Sequence, residues 1–207
     1  MYHVYGMPKT RSTRVVWALE ELGVEYRFHL VDLMKGEGQT PEFLKLNPFG
    51  KVPVLTDGDL ILTESAAICT YLGDQHPDSG LVPRSGTSER GQFDQWCFFA
   101  MAELEQPLWT IAKHRFALPD EKRLPAIVDV AIWEFQRVAT VLAKCLEGRE
   151  YLVGDSFTMV DILIAHTLVW ARVYKIDHGI DLLDRYEQQI CERTAFARAR
   201  QRETAGG

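Results

Sequence analysis

Residues 47–68, NPFGKVPVLTDGDLILTESAAI, carry most of the information about the fold. Val52, Val54 and Leu55 have the β-branched, apolar character of a buried strand, yet Pro53 cannot donate the ladder hydrogen bond that a central strand residue makes. A purpose other than sheet stability has to account for it. A cis Val52-Pro53 bond would present the backbone N–H and C=O of Val52 at a sheet edge, where an extended peptide can pair. A trans proline ending a loop is the plainer alternative. After it, Val54-Leu55 and Leu60-Ile61-Leu62 flank Thr56-Asp57-Gly58-Asp59, and Asp-Gly between apolar runs is a strong hairpin signal. The hairpin feeds a helix carrying Ala67, Ile68, Tyr71 and Leu72, expected to stop at Gly73.

Working outward, Tyr2 to Tyr5 is a short β-type run, and Val15, Val16, Ala18, Leu19 and Leu22 recur at helical spacing up to Gly23, a natural C-cap. Tyr26 to Val31 reads as a second strand and Pro41 to Leu46 as a brief helical turn. The order is β-α-β-α-β-β-α. Residues 76–88, HPDSGLVPRSGTS, have the proline, glycine and serine content of a linker. From Glu89 onward strand signals nearly vanish. Leu124, Ile127, Ala131, Phe135, Val138, Leu142 and Cys145 form a helical stripe that runs to Gly148. Thr158-Met159-Val160-Asp161 resembles a capping box that opens a strongly apolar helix, in which His166 reads as a satisfied interior histidine. The tail after Arg198 is expected to fray. The expected division is a first domain over 1–78, a linker over 79–88 and an all-helical domain over 89–207.

The chain of 207 residues is 46% apolar and 25% charged, ordinary globular values that support a sizeable core. A formal charge of -6 argues against a protein that lives on nucleic-acid phosphates. No stretch approaches the roughly 20 apolar residues of a membrane helix, and MYHVYGMPK lacks the pattern of a signal peptide. The expected location is cytoplasmic. Cys69, Cys97, Cys145 and Cys191 form no C-x-x-C pair and read as buried small hydrophobes; no metal site is expected.

At Thr63-Glu64-Ser65, a helix entrance offers backbone donors and a positive dipole end. A serine hydroxyl there suits a carboxylate and a neighbouring glutamate suits an ammonium, the two ends of an α-amino acid. Simple capping by Thr63 or Ser65 is the alternative. Lys51 beside the proline suits a terminal carboxylate.

Taken in order, Arg14 to Gly23 (RVVWALEELG), Asn47 to Leu55 (NPFGKVPVL), Thr63 to Ile68 (TESAAI) and Phe157 to Asp161 (FTMVD) resemble the cytosolic glutathione S-transferase family, bacterial type. The resemblance implies a thioredoxin-like α/β N-terminal domain followed by an all-α helical bundle. In that family the proline is cis and the residue before it pairs with the cysteinyl part of glutathione, so Val52 and Pro53 take those places. Glu64 and Ser65 match the γ-glutamyl binders and Lys51 the position near the glycyl carboxylate. Glutathione is thereby implied as cosubstrate, without a metal, and a homodimer is implied as the assembly.

The implied chemistry is thiolate formation, in which a hydroxyl and a helix N-terminus lower the thiol pKa and create a nucleophile. Counted back from Gly23, the serine position of many classes falls on Lys9, and the cysteine position of a bacterial class falls on Arg11. The nearest hydroxyls are Ser12 and Thr10, with Tyr5 a looser match, in that order of preference. Trp96, Phe99, Met101, Leu108, Trp109 and His114 lie along one long helix, and an apolar electrophile pocket is expected to draw on Trp109, His114 and Arg115. Conjugation to a small hydrophobic electrophile is the leading activity, with peroxidase or disulfide-reductase side activity. A non-catalytic binding or regulatory scaffold on the same fold is the rival. A thiol-disulfide oxidoreductase using its own cysteine would need one near residues 9–13, where none stands.

Overall fold

A computed structural model of the chain describes residues 1–205 and separates them into two compact units. The first comprises Met1–Val82 together with the chain from Cys191 onward; the second is Pro83–Ile190.

In the first unit β1 (Tyr2–Gly6), β2 (Tyr26–Leu30), β3 (Val54–Asp57) and β4 (Leu60–Thr63) form one sheet in the order β2-β1-β3-β4. β1 and β2 are parallel, joined by the crossover helix α1 (Ser12–Leu22); β3 runs antiparallel to both β1 and β4. The thioredoxin-like arrangement expected from the sequence is therefore present. Val4, Val54 and Leu55 are completely buried, as strands packed on both faces require. α1 ends where anticipated: Gly23 takes the left-handed conformation (φ 66°) and its N–H bonds the Leu19 carbonyl. On the other face α2 (Pro41–Leu46), capped by the Thr40 hydroxyl, inserts Phe43 into a cluster of Val31, Val52 and Val54, with Tyr5 and Met7 packed against it.

Gly73 does not stop its helix. α3 runs Ser65–Gln75, and Gly73 lies inside it because a Cβ there would stand 2.2 Å from the Val82 side chain. Close approach, not chain reversal, selects this glycine. The same contact explains why Leu81 and Val82, read as linker, are buried.

The second unit is helical: α4 (Ser88–Phe99), α5 (Glu105–Ala112), α6 (Ile127–Leu146), α7 (Met159–Val173) and α8 (Asp181–Cys191). The expected single helix through residues 96–114 is instead interrupted by π turns at Ala100–Leu104 and Lys113–Ala117. Pro107 has no N–H and would clash with the carbonyl four residues back, and a wide turn just before it relieves that conflict. Along α6 the core is Ala131, Phe135, Ala139 and Leu142, but Cys145 is exposed. Cys191 is half-buried, so only Cys69 and Cys97 behave as interior hydrophobes. The capping box is present: the fully buried Asp161 carboxylate accepts from Thr158 N–H (2.8 Å) and the Thr158 hydroxyl (3.1 Å), and also from Leu152 N–H (3.1 Å) and Tyr186 (2.6 Å). Burial pushes its pKa up and these bonds pull it back.

The C-terminal segment departs from expectation. It is helix α9 (Thr194–Ala205), not a frayed tail, and it belongs to the first unit, not the helical one. Phe196 packs on Trp17 with centroids 4.4 Å apart, Arg193 pairs with Glu21 (2.7 and 2.8 Å), and Arg198 pairs with Glu20 (2.8 Å). Both oxygens of Glu203 accept from the Thr13 hydroxyl (2.9 and 3.0 Å). Nothing in the arginine-rich string TAFARARQRETA marks a buried face, since its partners are acidic residues nearly 180 positions away.

Burial raises the Glu203 carboxyl from 4.5 to about 7, with Thr13 and Arg200 pulling the other way. A raised acid favours the protonated native state, so stability is full below pH 4.5 and declines as pH rises toward 7. Glu203→Gln should therefore change little at pH 4.5 and stabilise at pH 8 by about 2–4 kcal/mol. Denaturant titrations at the two pH values check this; equal effects at both would refute it.

Candidate functional site

Val54 opposes Tyr5 on one side and Thr63 on the other. At one end of the strands this register gathers the end of β1 with the turn Met7–Arg11, the approach to β3 with Val52, and the end of β4 with Glu64 and Ser65. Three chain segments expected to form the site thus converge through backbone pairing alone.

The middle segment is built by Asn47. Its Nδ2 donates to the Lys51 carbonyl (2.7 Å) and its Oδ1 accepts from Phe49 N–H (3.0 Å), folding NPFGK into a closed loop. Gly50 is left-handed (φ 63°), and a Cβ there would meet the Gly38 carbonyl at 2.7 Å. The Val52-Pro53 bond is cis. Among the described residues the main-chain groups of Val52 pair with no neighbour, while its side chain is buried. Lys51 is exposed, its ammonium 6.0 Å from the Phe49 ring centroid.

Glu64 is the N-cap of α3 and holds a left-handed φ of 67°, uncommon for a non-glycine residue and of the kind that collects at ligand sites. Neither Thr63 nor Ser65 caps the helix by side chain. Ser65 is 2% exposed, and its Oγ accepts a bond from Arg14 Nη1 (3.2 Å). Arg14 is fully buried. In the string RVVWALEELG the only sign of this role is a cation one residue ahead of an apolar stripe.

The hydroxyls at the start of α1 differ sharply. Ser12 has no exposed surface, and a Cβ on Gly6 would lie 2.6 Å from its Cβ. Its Oγ accepts from Met7 N–H (3.2 Å) and sits 2.9 Å from Thr10 Oγ1. Thr10, half-buried, donates to the Met7 carbonyl (2.6 Å) and accepts from Ser12 N–H (3.2 Å). With the Thr10 proton on Met7, the Ser12 proton goes to Thr10. Tyr5 is a packing residue, its ring 4.7 Å from that of His29 and set against the Val52–Val54 cluster.

In the helical unit Trp109 is half-buried on α5, and the π turn after it carries His114 and Arg115. His114 Nδ1 accepts from Leu124 N–H (3.0 Å), and Arg115 is exposed. Among the described residues no cluster of three or more His, Cys, Asp and Glu could hold a metal, and no helix is long and apolar enough to cross a membrane.

Two family models match the chain: the glutathione S-transferase N-terminal domain over residues 1–74 and the C-terminal domain over 125–188. Glutathione S-transferase F10 of Arabidopsis thaliana is 34% identical over 77% of this chain and 75% of its own length. The chain belongs to the glutathione S-transferase family. Among solved structures, a glutathione transferase from Methylococcus capsulatus superposes with a TM-score of 0.89 at 29% identity, covering 99% of this chain and all of its own. One from Phanerochaete chrysosporium, solved in complex with oxidized glutathione, gives 0.86 at 27%, covering 100% and 97%.

The loop at 47–51 is held by few bonds, so its variants should be legible. Asn47→Ala removes both side-chain bonds and should destabilise the first unit by about 1–3 kcal/mol. Asn47→Asp keeps the acceptor for Phe49 N–H and should cost less; urea midpoints that rank the two oppositely would overturn this account of the loop.

Proposed function

We propose that this transferase binds reduced glutathione across the strand ends of its first unit, stabilises the thiolate and conjugates it to a small hydrophobic electrophile. The observation that carries the proposal is the unpaired main chain of Val52, opposite Glu64 and Ser65 across the β3–β4 pairing. An extended tripeptide satisfies all three. Its cysteinyl backbone takes the N–H and C=O of Val52, its γ-glutamyl carboxylate takes Ser65 and the α3 N-terminus, and its ammonium takes Glu64. Lys51, beside the same loop, suits the glycyl carboxylate.

Burial favours Thr10 over Ser12 as the thiol-activating hydroxyl. Ser12 has no surface to offer, whereas Thr10 is reachable. The Thr10 proton rests on a neutral carbonyl, and a thiolate, as a charged acceptor, competes for it with roughly twice the strength. Ser12 then orients Thr10 by donating to its Oγ1, and the N-terminus of α1 adds its dipole. The activated sulfur attacks the electrophilic carbon. Trp109, His114 and Arg115 of the helical unit are proposed for the electrophile. A cytoplasmic homodimer completes the proposal. Transferase relatives over most of the chain favour an enzyme over the non-catalytic scaffold.

Three measurements decide it. Ser65→Ala should weaken glutathione binding by about 1–3 kcal/mol in calorimetry, the worth of a bond to a charged group; unchanged affinity would remove Ser65 from the site. Thr10→Val should raise the pH at which bound thiolate absorbs in the ultraviolet by about 1–2 units, and an unmoved titration would leave the backbone amides as activator. Turnover of an aromatic halide should require glutathione; no turnover across several electrophiles would return the scaffold.

A further inference from the structure

Arg14 is the largest charged side chain in the fully buried core, and it reaches across from α1 to the first residue of α3. The same two helices are joined a second time, one turn along: the Cys69 thiol donates to the Arg14 carbonyl (3.7 Å). Burial pushes that thiol up to about 12, and the Arg14 guanidinium pulls the other way. A buried cation therefore stands behind the N-terminus of α3, where the helix already directs N–H groups and a partial positive charge outward.

The direction of the Arg14–Ser65 bond has a consequence. A guanidinium carries five donors and no acceptor, so Arg14 must donate and Ser65 Oγ must accept. The single Ser65 proton has no other partner among the described residues. It is left to point away from Arg14, polarised by the positive charge behind it. A neutral side chain with an acceptor at the same place would compete for that proton.

We propose that Arg14 is a positioning residue for glutathione: by donating to Ser65 it fixes the serine hydroxyl as a donor toward the γ-glutamyl α-carboxylate and supplies the charge that makes the α3 entrance selective for an anion. The proposal rests on the reading of Ser65 as a carboxylate contact. Arg14 does not touch the ligand itself; its effect passes through the hydroxyl and through its field in a low-dielectric interior.

The test compares two ligands, glutathione and γ-aminobutyryl-cysteinyl-glycine, which keeps the amine and lacks the α-carboxylate. Wild-type protein should bind glutathione about 10- to 100-fold more tightly, the range of one bond to a charged group. Arg14→Gln, neutral and able to accept, should collapse that ratio toward the ratio measured in Ser65→Ala. Arg14→Lys, charged and donor-only, should retain more of it. A structural role alone would weaken both ligands together, and a ratio that survives in Arg14→Gln would overturn the proposal. A wild-type ratio near one would instead remove the Ser65 contact, and no binding of either ligand would remove the glutathione reading. Should the Arg14 variants not fold, the slowly exchanging guanidinium resonances of the wild-type protein decide: they should shift on adding glutathione and stay in place with the analogue, and equal shifts with both would sink the assignment.

Discussion

Val54 is the hinge of the arrangement. Fully buried, it pairs with Tyr5 on one side and Thr63 on the other, so one strand sets the register of both its neighbours. Because side chains alternate faces, a slip of one residue would turn Val54 and Leu55 inside out and carry the approach to β3 away from the ends of β1 and β4. The gathering of these strand ends is thus a by-product of core register. Its components lie up to 60 positions apart in the chain, yet no long-range side-chain contact is needed to align them. The side chains refine what the backbone has already gathered: Asn47 closes one loop, Gly50 permits its tight turn, and Arg14 spans the two helices behind it.

Two of the buried acids, Asp161 and Glu203, lie in the opening turn of α7 and in the C-terminal helix α9. Asp161 receives four hydrogen bonds at the start of α7, which offset part of the cost of burying it. Glu203 has a single hydroxyl partner, and burial pushes its carboxyl up as well, to about 7. That shift places a proton-sensitive contact at Thr13, next to the serine that orients Thr10.

Much of the fold was legible in local patterning. The β-α-β-α-β-β-α order, the Asp-Gly hairpin, the Gly23 cap and the Thr158–Asp161 box all depend on neighbours within a few residues, which is the range over which turn chemistry and periodicity act. The departures share a different origin. Gly73 lies inside its helix because Val82 requires its missing side chain, the tail after Arg198 is ordered because Glu20 and Glu21 hold it, and π turns divide the helix through residue 107.

What the sequence by itself determined is which segments become strands and helices, and that a proline, a glutamate and a serine stand at the ends of those segments that a peptide could use. Only the tertiary structure decided which hydroxyl is reachable, since Ser12 and Thr10 are alike in type and two positions apart, and the close packing of Gly6 buries one of them. Only it revealed that Arg14 lies behind Ser65. Burial and contact between residues 51 positions apart are properties of the packed chain, and no spacing along the string encodes them.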